Sequence, residues 1–147
     1  MKMTLLELLF QGIPEQISLV LLTFLISKAK VDWKRIVVMG IFMACFIYLI
    51  RLLPITFGVH TIIAIALLIF IMVYLEKISL VRSVISVILV YVFLIFAETI
   101  CFRMISTLFQ LSWDQIRNNE ILMIISGIPQ VILMLFVAFI TNKISLR

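Results

Sequence analysis

Residues 79–111 read SLVRSVISVILVYVFLIFAETICFRMISTLFQL, a 33-residue stretch that is apolar almost throughout. As one helix it would run about 50 Å at about 1.5 Å per residue, against a hydrocarbon core of about 30 Å. Its end changes character. Arg103, Ser106, Thr107 and Gln110, followed by Asp114 and Arg117, recur at helical spacing, with Phe102, Ile105, Leu108 and Phe109 between them. The pattern predicts a membrane span over 79–100, then an amphipathic helix over 101–111 lying in the interface. Trp113 then falls at headgroup level. The alternative is one long tilted helix projecting into water.

On either side of this stretch the chain divides into further spans at 4–27, 36–51, 55–75 and 121–141, which makes five. Between Ile36 and Leu75 lie 40 residues, just two crossings at about 20 each, so the connection at Leu52-Leu53-Pro54 must be tight. Proline suits a helix start because its missing amide hydrogen is not needed there. A polar turn from Ser112 to Glu120 leads into the last span. The composition agrees: 65% of the 147 residues are hydrophobic and 13% charged, with mean hydropathy +1.35. A soluble domain is roughly half apolar and about a quarter charged. A soluble enzyme, a disordered tail and a nucleic-acid-binding module are thereby excluded. The expected fold is an all-α polytopic membrane bundle, one integral membrane domain over 1–147. The N-terminus lacks the charged-then-apolar pattern and cleavage site of a signal peptide, so it is expected to be retained.

The basic residues set the orientation. Lys28, Lys30, Lys34 and Arg35 lie in the first loop, Lys77 and Arg82 in the third, and Lys143 and Arg147 in the tail. These are eight of the twelve Lys and Arg residues, and five spans put them all on one side, which should be cytoplasmic. The expectation is a multi-pass cell-membrane protein with its N-terminus outside and its C-terminus inside.

That topology gathers the remaining polar residues in the outer half. Thr4, Glu7, Gln11, Glu15 and Ser18 form one polar stripe on the first span, which must face protein or water because lipid cannot satisfy it. Arg51 ends the second span, His60 lies near the start of the third, and Glu98 and Arg103 flank the outer end of the fourth. Glu15 is the most informative. An ionisable residue at depth costs at least about 2.5 kcal/mol unless it is paired or hydrated. It is read either as a ligand or ion contact, or as one half of a pair with Arg51 or Arg103 that locks two helices. His60 is either a proton-sensitive group or a hydrogen-bonding link between helices, and Gly58 beside it permits close helix approach. A short echo, Gly12-Ile13-Pro14-Glu15 and Gly127-Ile128-Pro129-Gln130, places two prolines at one depth. Proline kinks a helix, and two such kinks could splay open an external cavity lined by Glu15 and Gln130.

No Gly-rich phosphate loop, HExxH, GxSxG or paired-Asp motif is present. Cys45 and Cys101 show no metal-ligand spacing and read as packing residues. With one histidine in the chain, a metal site would need carboxylates, and only Asp32 and Glu76 lie near the inner side. Neither catalysis nor a cofactor is expected.

The Gly-Ile-Pro-Glu entry at 12–15, together with the stretch Arg51-Leu-Leu-Pro54-Ile-Thr-Phe57-Gly58-Val59-His60-Thr61, resembles the N-terminal membrane portions of sensor histidine kinases of Gram-positive bacteria, of the Agr-type and sporulation-type groups. The resemblance implies detection of an extracellular signal, often a peptide, and a cytoplasmic kinase module beyond the membrane part. These 147 residues contain no phosphoacceptor helix or ATP lid, so kinase activity is not expected of them. The reading is a sensory or regulatory module that binds a signal or partner protein at its outer half, through Glu15, Arg51, His60, Glu98, Gln130, Gln11 and Arg103. Its partners would be the lipid bilayer, further copies of itself packed through Met- and Phe-rich faces, an extracellular peptide and a separate cytoplasmic signalling protein, but no nucleic acid. The rival reading is a homo-oligomeric small channel or transporter subunit with the stripe of the first span lining the path.

Overall fold

In the computed structural model, which describes residues 4–56 and 58–145, every regular element is helical. Six helices follow in order: α1 (Leu5–Ser27), α2 (Trp33–Leu52), α3 (Val59–Tyr74), α4 (Leu80–Phe109), α5 (Trp113–Asn118) and α6 (Glu120–Ser145). Four of them, α1, α2, α4 and α6, are long and apolar enough to cross a membrane. That makes the chain compatible with a multi-pass membrane protein. The fifth expected span, α3, is apolar along its 16 residues but shorter than the other four.

Helix α1 is the hub of the bundle. It packs against α2, α4 and α6, and α3 closes the wall between α2 and α4. From Leu19 to Leu25 every residue of α1 is buried, the signature of a helix surrounded by others. Leu22 and Phe24 meet Met43, Leu68, Met72, Val87, Val90 and Met134 in the core, all fully buried. The outward faces carry large exposed apolar side chains, among them Val38, Phe42, Val92, Phe96, Ile132 and Phe136. Cys101 is buried, whereas Cys45 lies on the exposed face of α2. In lipid these faces gain nothing by hiding, so the bundle is held by van der Waals packing and polar contacts.

The first helix widens before its proline. Residues Leu8–Gly12 form a π-helical stretch, closed by the Ile13 amide donating to the Leu8 carbonyl. Pro14 has no N–H to donate and its ring crowds the carbonyl four residues back; the wider turn just upstream absorbs that misfit. Pro129 sits inside α6, which continues through it.

The connection after α2 differs from the expected one. Pro54 does not start the third helix; α3 begins at Val59, behind Gly58. The Ile55 amide donates to the Leu53 carbonyl at 2.8 Å, making a tight reversal before the helix. Gly58 has φ 98°, and nothing lies within 4 Å of where its Cβ would be. It serves a left-handed backbone position rather than close helix approach. Phe57 lies outside the described residues.

The larger correction concerns residues 101–111. They do not form a separate interfacial helix; residues up to Phe109 are the last turns of α4, an unbroken 30-residue helix about 45 Å long. The packing explains why. Phe102 and Ile105 on one face of these turns are buried against Ile116 of α5, with Leu111 and Leu122 alongside. Trp113 stacks on Phe102 with ring centroids 3.8 Å apart. Phe102 and Ile105, which lipid was expected to cover, are covered by the chain's own return, while Leu108 and Phe109 stay exposed. Left-handed Gln110 ends the helix, and the Ser106 hydroxyl donates to the Leu111 carbonyl at 2.7 Å.

Candidate functional site

The polar stripe on α1 divides into structural and unassigned members. Thr4 caps the helix: its hydroxyl accepts from the Glu7 amide at 3.3 Å, while the Glu7 carboxylate accepts from the Thr4 amide at 3.1 Å. This reciprocal box satisfies two amides at the helix start. The Thr4 hydroxyl also donates to the Glu120 carboxylate at the head of α6. The Ser18 hydroxyl donates back to the Glu15 carbonyl at 2.7 Å. Thr4, Glu7 and Ser18 therefore have local structural tasks, leaving Gln11 and Glu15.

Gln11 lies across Gly127, so closely that a Cβ on that glycine would collide with its side chain. The two proline-containing segments pack together at this level instead of splaying apart, and Gln130 is buried within α6. The expected cavity between Glu15 and Gln130 is replaced by helix contact.

Glu15 is half-buried, within electrostatic range of both Glu98 on α4 and Arg51 at the end of α2. Arg51 acts in turn on Glu98 and on His60 at the start of α3. Four elements thus bring Glu15, Arg51, His60 and Glu98 into one electrostatic neighbourhood. Arg51 and Glu98 are exposed on the flank of the bundle, and His60 is half-buried. Arg103 stands apart: it is exposed beyond Glu98 on α4, lining a shallow apolar groove of about 400 Å³ with Met104 and Thr107.

One side chain that sequence reasoning passed over, Tyr91, joins this neighbourhood, and a second, Gln16, follows Glu15 on α1. The Tyr91 hydroxyl and the Gln16 Oε1 are both buried with no hydrogen-bond partner among the described residues, and Tyr91 lies in the field of Glu15. Tyrosine in an apolar run reads as core, so nothing distinguished Tyr91. Gln16 stood beside Glu15 and was the available signal. Among the described residues no three His, Cys, Asp or Glu side chains converge as a metal-ligand set.

No protein-family model, no curated protein sequence and no solved structure matches this chain.

Proposed function

We propose that the chain is a non-enzymatic membrane sensory or regulatory module that binds a signal or a partner protein at its outer half. Glu15, Arg51, His60 and Glu98 form the polar floor, while Gln11 and Gln130 are taken up by helix packing and Arg103 stands apart from it. The supporting observation is the exposure of Arg51 and Glu98 on the flank of a bundle whose helices otherwise present many large apolar side chains outward. Glu98 lies 16 residues beyond Arg82, about 24 Å along the helix. With Arg82 at one boundary, it falls inside the far edge of a core about 30 Å thick. A charge at that depth is expensive when lipid covers it, and a bound partner or ligand removes the cost.

In this reading α3 completes a fifth crossing. It leaves the Arg51 end and returns to the end where α2 began, where Glu76 meets Arg35 at 3.5 Å. The basic ends face the cytoplasm of a cell membrane, with the N-terminus outside. Arg147, counted among the cytoplasmic charges, lies outside the described residues. The resemblance of 12–15 and 51–61 to sensor-kinase membrane regions favours an extracellular peptide as the signal and a separate cytoplasmic partner as the output. The test is a charge exchange. Glu15→Gln and Arg51→Gln should each leave insertion and folded yield intact while changing what the outer face binds. Loss of folded protein in both, rescued by Glu15→Arg with Arg51→Glu, would instead make the pair a helix lock.

One observation favours transport as the second reading: the Tyr91 hydroxyl, in the field of Glu15, and Gln16 Oε1, on the next residue of α1, are buried with no hydrogen-bond partner among the described residues. Because α1 is the central helix, such a path would run through one copy rather than around an oligomer axis. Ion flux into liposomes that disappears with Glu15→Gln would establish this reading, and tight liposomes containing folded protein would remove it.

A further inference from the structure

At the opposite end of the bundle, the end of α1 and the connection between α3 and α4 enclose a recess of about 410 Å³. Lys28, Lys30, Lys77 and Arg82 line it, together with Ser27 and Ser79. The one carboxylate in its wall, Glu76, is held by Arg35 at 3.5 Å, so its charge is offset from outside the recess. The helix ends are built to present lysine here. Lys28 and Lys77 have φ 57° and 54°, a left-handed conformation that helix ends usually give to glycine. Around Lys28 the turn is fixed by the Ala29 amide donating to the Phe24 carbonyl at 2.9 Å. On the other wall, Ser79 precedes α4 without capping it through its side chain. The first-turn amides of α4 therefore add donors to the lysine and arginine charges.

We infer that this recess binds the phosphate of an anionic phospholipid headgroup. Four cations and a helix start converge on a concavity too small for a protein segment of any length. It opens at the ends of apolar helices, where a lipid phosphate lies and where its acyl chains find the exposed faces of α2 and α4. Basic recesses between helices at a membrane surface take anionic headgroups for this reason, each Lys or Arg contributing comparably.

The test uses the purified full chain in neutral detergent, with phosphatidylglycerol, phosphatidylcholine of the same acyl chains, or inorganic phosphate added. Retained lipid is counted by native mass spectrometry. Lys28→Asn with Lys77→Asn removes two recess charges while keeping a residue that tolerates left-handed backbone. Lys34→Asn with Lys143→Asn removes two charges from the same end outside the recess. Melting temperatures without added lipid check that both doubles fold. The expected result is selective retention of phosphatidylglycerol, weakened roughly 30-fold in the recess double and little in the control double. Equal weakening in the two doubles would overturn the proposal by reducing it to diffuse surface charge, as would equal retention of the two lipids. Protection by inorganic phosphate without any by phosphatidylglycerol would overturn the lipid as the source of the phosphate.

Discussion

A Cβ placed on Gly40 would stand 2.8 Å from the Cα of Ile17 and 2.9 Å from its backbone nitrogen, so α1 and α2 meet there backbone to backbone. At Gly127 the obstruction is instead the side chain of Gln11, whose far end can rotate away. The two glycines should therefore respond differently to alanine. The substitution gains about 0.5–1 kcal/mol of helix propensity at either site, while overpacking costs about 1–3 kcal/mol where the neighbour cannot move. Gly40→Ala should lower the melting temperature in detergent clearly, and Gly127→Ala should change it little. Equal effects would contradict the backbone contact.

The hydroxyl of Tyr91 is buried with no hydrogen-bond partner among the described residues. Removing a polar group that makes no hydrogen bond relieves its desolvation, so Tyr91→Phe should be neutral or stabilising by about 1 kcal/mol. The same substitution should leave folded yield unchanged. A clear drop in melting temperature would mean that the hydroxyl has a bonding partner in the membrane-embedded protein.

Ile116 is fully buried, but in the small cluster with Phe102 and Ile105 rather than in the main core. Ile116→Ala should cost about 2–5 kcal/mol locally and release the α5 segment first. Limited proteolysis should then cut between residues 109 and 120 while the four long helices stay protected. Protection of that segment in the variant would show that α5 is held by something other than this packing.

Gln110 closes α4 with φ 51°, a position that favours glycine. Gln110→Gly should stabilise by about 1 kcal/mol, because a left-handed conformation is unfavourable for residues with a Cβ. Gln110→Val should destabilise, and the pair of melting temperatures checks the sign. A drop with glycine would mean that the Gln110 side chain itself holds the turn.

The helices were legible because long apolar runs admit few other folds, and their ends were marked by Lys, Pro and Ser clusters. The continuity of α4 was not legible. Polar spacing over 103–110 picked out Arg103, Thr107 and Gln110, which are exposed, but Leu108 and Phe109 are exposed too, and whether lipid or protein covers Phe102 and Ile105 depends on where Trp113 and Ile116 return. Charges are conspicuous in an apolar chain, and for that reason Glu15, Arg51, His60 and Glu98 could be grouped from topology alone. Thr4 and Glu7 entered the same stripe although their Thr-x-x-Glu spacing is a capping signature, and the local signal explains them better. The basic recess was illegible for the opposite reason. Lys28 and Lys77 were read for topology, and only the packing of α1, α3 and α4 brings their loops together.

The central claim concerns what covers Glu98. A photo-crosslinking residue in its place, in intact cells, reads this directly, with Val92 on the exposed face of the same helix as the lipid-facing control. The account predicts a discrete peptide or protein adduct at position 98 that weakens with Arg51→Gln, and none at 92. Equal, lipid-only labelling at both positions would contradict it.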